Sequence, residues 1–387
     1  FSDMVLILGD DECCPPLQSE PAKSILKTEH MGTTRSVCHV GKTKEEVLVQ
    51  ARAYSPVAGK LWGRTVCLLS ARNNEFIICG GEDVCTGELS RRCFSAVFGR
   101  LHGRERFIPI LLSSDGEKLN VTPLPPLPAA RLWSSGIQFS GKGCLVWGGE
   151  VDCREDRSPV SEPYLYMGGM LFQSGVEQSR PRAGHTLTPL PESTKAVLFG
   201  GCDGRKWYND VHILDTTTLL WTKPKVTGLI PKARAFHTCT AVSPTRLVLI
   251  GGSNQDTCLS DVYILDIEAS RWSRPFLGGD ILPPLGGHST ILWKASLLII
   301  GGWNVHSKGN KPPNEYCFEI KLDSWNCEVA ARLPVSFAGH TALVRPELHG
   351  GARENKSDLL YVLSGRRCED KETHLPPPED VAFTLDF

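Results

Sequence analysis

An all-β fold of repeated four-stranded sheets is what the sequence predicts, and three observations predict it. The first is a pattern written twice. Pro181-Arg182-Ala183-Gly184-His185-Thr186 leads to an apolar run ending in Gly200-Gly201, then to Asn209-Asp210-Val211-His212-Ile213-Leu214-Asp215 and Trp221. Ala233-Arg234-Ala235-Phe236-His237-Thr238 leads in the same way to Gly251-Gly252, to Ser260-Asp261-Val262-Tyr263-Ile264-Leu265-Asp266 and to Trp272. The two histidines are 52 residues apart and the first glycines 51. The second observation is strand chemistry: the runs between the turn residues are rich in Val, Ile, Leu and aromatics, which fit a pleated, half-buried surface. The third is composition, with 37 Gly and 27 Pro in 387 residues, as many turns require. A fixed period near 50 residues marks a repeat architecture. One four-stranded sheet of this size cannot bury both faces alone, and radial stacking against the next sheet does so. The expected architecture is therefore a β-propeller over residues 1–387, of six blades with seven as the alternative, each of four antiparallel strands.

Residues 1–60 form an N-terminal segment that either supplies a closing strand or is a degenerate blade. An apolar strand at 4–8 closes on Gly9, a polar loop covers 10–23, and 47–53 is the candidate closing strand. The main repeat units occupy 61–387. Strands at 62–69 and 76–79 end at Gly80-Gly81. The next unit is lengthened around 91–106, and the proline-rich 123–128 is a stiff connector. Ser134 takes the slot of the histidine, and Gly148-Gly149 closes that unit. A short strand follows at 164–167. After the two clear repeats, Gly287-His288-Ser289 leads to Gly301-Gly302 and a long basic loop at 303–313. In the last unit Gly339-His340-Thr341 leads to Ser364-Gly365, and 381–387 is the final strand. That unit lacks a fourth strand of its own, so the N-terminal segment is expected to close the ring.

The formal net charge is −1, with 41% hydrophobic and 22% charged residues, an ordinary globular balance. It gives no global signal for nucleic acid, for a basic partner or for a membrane. No apolar run approaches the ~18 residues of a membrane span. The 15 cysteines show no Cys-x-x-Cys pair and read as reduced thiols. Cys79, Cys144 and Cys239 lie in apolar runs, where a thiol behaves as a small hydrophobe.

Little in the chain points to chemistry. There is no Gly-x-Gly-x-x-Gly before a helix, no phosphate loop, no His-Glu-x-x-His and no Gly-x-Ser-x-Gly elbow. Four histidines (185, 237, 288 and 340) recur once per unit, so they read as blade-to-blade packing rather than as a metal set. No catalytic residue, metal or cofactor is expected. The structural positions are Gly80, Gly81, Gly148, Gly149, Gly200, Gly201, Gly251, Gly252, Gly301 and Gly302, with Trp221 and Trp272. The one local basic cluster is Arg91, Arg92, Arg100, Arg104 and Arg106, followed by Lys308 and Lys311.

The double glycine after an apolar strand, the tyrosine-like position in the next strand and the tryptophan beyond it resemble the kelch repeat. The likeness is sharpest at 182–221 and 234–272. Within kelch proteins, Phe1-Ser2 with the strand ending at Gly9, Phe76-Ile77-Ile78-Cys79-Gly80-Gly81 with Gly87-Glu88-Leu89-Ser90, and Pro312-Pro313-Asn314-Glu315-Tyr316 resemble the second recombination-activating protein. That resemblance implies a non-catalytic accessory subunit in the nucleus, bound to a recombinase or transposase catalytic subunit. The basic residues named above would then touch DNA backbone, blind to sequence. The ending, His374-x-x-Pro377 with Val381-Ala382-Phe383-Thr384-Leu385-Asp386, is similar to the kelch half of wybutosine-forming methyltransferases. A substrate-recognition subunit of a cullin-type ubiquitin ligase, in the cytoplasm, is the other alternative. It would need a deep pocket of Arg, Ser and aromatic side chains for a peptide terminus, which Arg182, Arg234 and the tryptophans could line.

Overall fold

In a computed structural model, strands alternate with tight turns throughout, and no helix is found among the described residues. The structure describes residues 51–54, 61–70, 75–83, 86–99, 108–109, 118–139, 143–153, 156–167, 170–173, 180–304, 314–333, 336–345, 358–363, 365–367 and 380–385. The expected strand at 4–8, the loop at 10–23, and Arg100, Arg104, Arg106, Lys308 and Lys311 lie outside them.

Five blades are each made from one uninterrupted stretch of chain. The first contains Thr65–Ser70, Glu75–Cys79, Cys93–Gly99 and Lys118–Leu124, with Ile108–Pro109 added at its outer edge. The second has Ser135–Phe139, Gly143–Trp147, Tyr164–Met167 and Met170–Gln173. The third has Thr186–Pro189, Lys195–Phe199, Val211–Asp215 and Trp221–Thr222. The fourth has Thr238–Ser243, Arg246–Ile250, Val262–Asp266 and Arg271–Ser273, the fifth Ser289–Trp293, Ser296–Ile300, Tyr316–Lys321 and Asn326–Arg332. Each of these last two carries a further outer strand, Thr227–Gly228 and Gly278–Gly279, paired in parallel.

The remaining large sheet is composite. Thr341–Arg345, Asp358–Leu363 and Asp380–Leu385 are completed by Ala51–Tyr54, which pairs antiparallel with the last of them. The expectation of six or seven equivalent blades of four antiparallel strands is thereby corrected to five continuous blades and a composite sheet. Three of the five hold five strands, and two of these end in a parallel pair. The physical reason is that the loop entering a blade runs up beside that blade's outermost strand before it reaches the axis. It satisfies its own amides there, as Thr227 N–H does on Ser270 O at 2.9 Å.

The core lies between neighbouring sheets. Val197 and Phe199 pack with Leu247, Leu249, Leu265 and Trp272, and Val248 and Ile250 with Leu297, Ile299 and Ile320. The repeat tryptophans serve this contact. Trp272 meets the ring of Phe199 in the preceding blade at 5.1 Å, and Trp221 meets Trp147 at 5.8 Å. The histidines do the same nearer the axis. His237 Nε2 is 3.0 Å from Thr186 Oγ1 and His288 Nε2 is 2.9 Å from Thr238 Oγ1, each bond joining successive blades.

Burial pulls His185, His288 and His340 down to about 3, 4 and 3, and His237 falls well below the ordinary imidazole range for the same reason. The unfolded chain protonates these rings near pH 6.5. Below that value the unfolded state takes up protons that the folded state refuses, so the contribution of these histidines is complete above about pH 6.5 and is lost on acidification. The expected slope is about 1.4 kcal/mol per pH unit per histidine below about pH 6. Urea midpoints between pH 7.5 and 5 measure it, and His288→Asn should flatten the slope. An equal slope in the variant would refute the assignment.

Candidate functional site

The double glycines join the blades at one end of the axis. Gly81, Gly149 and Gly201 donate their amides to the carbonyls of Arg131, Arg182 and Arg234 in the next unit, at 2.7–2.9 Å. A Cβ on Gly200 would lie 2.6 Å from Arg234 O and 2.7 Å from the ring of His237, so only glycine fits. Each of these arginines is 0–1% exposed and turns back on the glycine pair of its own blade. Arg182 Nη1 donates to Gly200 O at 2.9 Å and to Asp210 at 2.7 Å. Arg234 Nη1 donates to Gly251 O at 2.8 Å and to Asp261. Arg131 reaches Gly148 O at 2.9 Å. In the fifth blade Leu285 stands at the arginine position, and Asn314 Nδ2 takes over the bond to Gly301 O at 2.9 Å. Arg182 and Arg234 are therefore structural staples and not a peptide-terminus pocket, which corrects that expectation.

Just inside these staples runs a closed circuit of backbone hydrogen bonds. Gly63 N donates to Gly339 O, Gly339 N to Gly287 O, Gly287 N to Phe236 O, Phe236 N to Gly184 O, Gly184 N to Trp133 O, and Trp133 N to Gly63 O, at 2.7–3.1 Å. All six residues have φ between 56° and 63°. Trp133 and Phe236 accept this left-handed conformation without being glycine, at about 1–2 kcal/mol each. Their side chains explain it. With Trp62 and Trp303 they form an aromatic plug, Trp133 standing 5.2 Å from Trp62, 5.0 Å from Phe236 and 5.8 Å from Trp303. Cys202, Cys258, Ala235 and Ala338 complete the cluster.

The residues that directly follow the double glycines, Glu82, Glu150, Cys202, Ser253 and Trp303, are buried around this plug. Glu82 is tied to Arg157 at 2.9 Å, and Arg157 lies 3.6 Å from Asp152. Neither carboxyl oxygen of Glu150 has a hydrogen-bond partner among the described residues. Burial pushes this acid up to about 8, against the opposing pull of Arg157. Glu150 escaped the sequence reading. The available signal was a carboxylate, shared with Glu82, where the three later repeats put Cys202, Ser253 and Trp303.

The folded protein keeps Glu150 protonated at neutral pH while the unfolded chain ionises near 4.5, so this burial removes stability as pH rises from about 4.5 to 8. Glu150→Gln is therefore expected to be the more stable protein at pH 7.5, by about 3 kcal/mol, and to match the parent near pH 4. Paired denaturant titrations decide it, and equal stabilities at both pH values would refute it.

Of the expected DNA-contacting residues, Arg91 and Arg92 are exposed on the first blade. Arg91 Nε is engaged with Leu127 O at 2.6 Å. Arg92 lines a shallow cleft of about 320 Å³ with Cys93, Phe94, Pro123, Leu124 and Pro126. Among the described residues no group of three or more His, Cys, Asp or Glu is arranged to hold a metal ion. No described helix is long and apolar enough to cross a membrane. Large apolar side chains stand exposed at the outer strands of the fourth and fifth blades: Leu229 and Ile230 on one, Phe276 (90%) and Ile281 (91%) on the other.

A family model described as the KLHDC2/KLHL20/DRC7 Kelch-repeats domain matches residues 135–349, more than half of the chain. Acyl-CoA-binding domain-containing protein 4 of Arabidopsis thaliana is 27% identical over 275 residues, covering 67% of this chain and 40% of that protein. Acyl-CoA-binding domain-containing protein 5 of the same plant is 33% identical over 131 residues, 34% of this chain and 20% of the relative. Host cell factor 1 of Rattus norvegicus is 26% identical over 245 residues, 51% of this chain and 11% of the relative. The chain thus spans two fifths or less of the length of these relatives.

Proposed function

From the premise that this chain belongs to the kelch-repeat family, we propose that it works as a non-catalytic interaction scaffold that holds a protein partner on its rigid propeller. The observation that carries this reading is the apolar rim: Phe276 and Ile281 stand almost fully in solvent on either side of the outermost strand Gly278–Gly279 of the fifth blade, and Leu229 and Ile230 are exposed just after the outer strand of the fourth. Contiguous exposed apolar side chains on a rigid support are the ordinary mark of a protein contact. The partner surface that fits is one with its own apolar anchors.

Among finer readings, recognition of substrates for a cullin-type ubiquitin ligase stands ahead of the recombinase accessory role. The relatives lend no support to a recombinase or transposase partner, and Arg91 is already committed to the Leu127 carbonyl. The kelch half of a wybutosine-forming methyltransferase is the remaining alternative. The compartment follows the partner, cytoplasmic for a ligase receptor and nuclear for a recombinase subunit.

The test is co-purification of the parent and of the Phe276→Ser/Ile281→Ser variant, read by quantitative mass spectrometry. The variant is expected to lose stoichiometric partners at least tenfold while its melting temperature holds. Retention of the same partners would overturn the reading. Recovery of cullin adaptors with the parent would establish the finer one.

A further inference from the structure

Three cysteines of the first blade and one of the second meet in one core cluster. Cys67, Cys79, Cys93 and Cys144 are each 0–2% exposed and pack together with Tyr164 and Tyr166 of the second blade. Cys79 and Cys93 face each other directly across the antiparallel strands Glu75–Cys79 and Cys93–Gly99. The Cys93 thiol itself donates to Arg91 O at 3.6 Å. The adjoining pair is bonded through Gly80 N to Arg92 O at 3.0 Å, which makes the Cys79/Cys93 position the closely spaced, non-hydrogen-bonded kind. Directly opposed residues of that kind have Cα atoms about 4.5 Å apart, within the span a disulfide bridges.

Two further features single out Cys93 from the other buried thiols. Cys93 is one of the residues lining the cleft formed with Arg92, Phe94, Pro123, Leu124 and Pro126. The Tyr166 hydroxyl lies 2.8 Å from Cys93 Sγ and 2.9 Å from Pro125 O, so its one proton is shared between the sulfur and a carbonyl that can only accept. We propose that Cys93 and Cys79 form a peroxide-sensing dithiol, with Cys93 the attacked sulfur, Cys79 the resolving one and a small hydroperoxide as the oxidant. The thiol of Cys79 and the phenol of Tyr166 hold Cys93 below the ordinary thiol range, whereas burial raises Cys79 and Cys144. The thiolate is the nucleophile, so the attack falls on Cys93.

In the first step Cys93 sulfur attacks the terminal oxygen of the hydroperoxide. The O–O bond breaks, the alcohol or water leaves with the thiol proton, and Cys93 becomes a sulfenic acid. In the second step Cys79 sulfur attacks that sulfur. The S–S bond forms, the S–O bond breaks, and water leaves with the Cys79 proton. Two thiols are oxidised and one peroxide is reduced. The product bridges the second and third strands of the first blade and takes from Tyr166 the sulfur it holds across the blade boundary. An exchanging dithiol reverses it.

The experiment is timed oxidation of the native chain with hydrogen peroxide, followed by blocking and non-reducing peptide mapping. A Cys79–Cys93 cross-link is expected to appear at least tenfold faster than any modification of Cys144 in the same molecules. Cys79→Ser should instead accumulate sulfenic acid on Cys93, trapped by a 1,3-diketone. Tyr166→Phe should slow the reaction severalfold and move its pH midpoint upward. Equal rates at Cys93 and Cys144, which signal reaction through global unfolding, would overturn the proposal. So would a Cys67–Cys144 bridge forming first. The mapping of the unaltered chain decides the question even if a variant fails to fold.

Discussion

Replacing Arg234 with methionine is expected to lower the stability of the protein by about 3–5 kcal/mol, more than any surface change. The guanidinium is fully buried and makes bonds to Gly251 O, to Lys232 O and to both oxygens of Asp261. Methionine fills much of the volume and leaves Asp261, only 15% exposed at its side chain, without its counter-charge. Gly251 O loses its donor as well. Breaking one side of a buried pair is costly because the other side cannot return to water. The double variant Arg234→Met/Asp261→Leu removes both charges and should recover part of the loss. Chemical denaturation of the parent, the two single variants and the double variant measures the coupling. Additive effects would mean that the arginine acts only through packing.

Gly287→Ala is expected to be nearly as damaging, and for a different reason. A Cβ there would lie 1.9 Å from Trp303 Cζ3, and the backbone sits at φ +59°. The left-handed conformation costs about 1–2 kcal/mol for a residue with a Cβ. Overpacking the plug adds about 1–3 kcal/mol. The Trp303 ring must leave, and its contacts with Trp133 and Phe236 at 5.8 and 5.5 Å go with it. Trp303→Leu in the same molecule should relieve the clash but not the backbone strain. The rescue is therefore expected to be partial. Full rescue would mean that φ at this position is free to change.

The repeats around Gly200 and Gly251 were legible because two signals coincide there, an apolar strand and a glycine pair that no other residue can replace. The same holds for the tryptophans, whose place on the neighbouring blade follows from their period. Two-residue strands such as Thr227–Gly228 and Gly278–Gly279 leave no periodic trace, so the fifth strand of a blade cannot be read in advance. Trp133 and Phe236 were hidden for the opposite reason. An aromatic residue gives no hint of positive φ, and only alignment with Gly184 and Gly287 reveals it. The direction of Arg182 and Arg234 was equally silent. A charged residue in a loop reads as solvated, and what buries these two is the next blade. Glu150, like Glu82, departs from the three later repeats, which is visible only once the positions after the glycine pairs are compared.

The pairing of Ala51–Tyr54 with Asp380–Leu385 joins residues roughly 330 positions apart. At about 5–20 residues per second, a ribosome needs roughly 20–60 s to make the second partner after the first. Throughout that interval the nascent blades hold an open arc, and the inner edges meant for Gly63 and Gly339 face water. Molecular chaperones have that window in which to act, and closure of the ring waits on the synthesis of Asp380–Leu385.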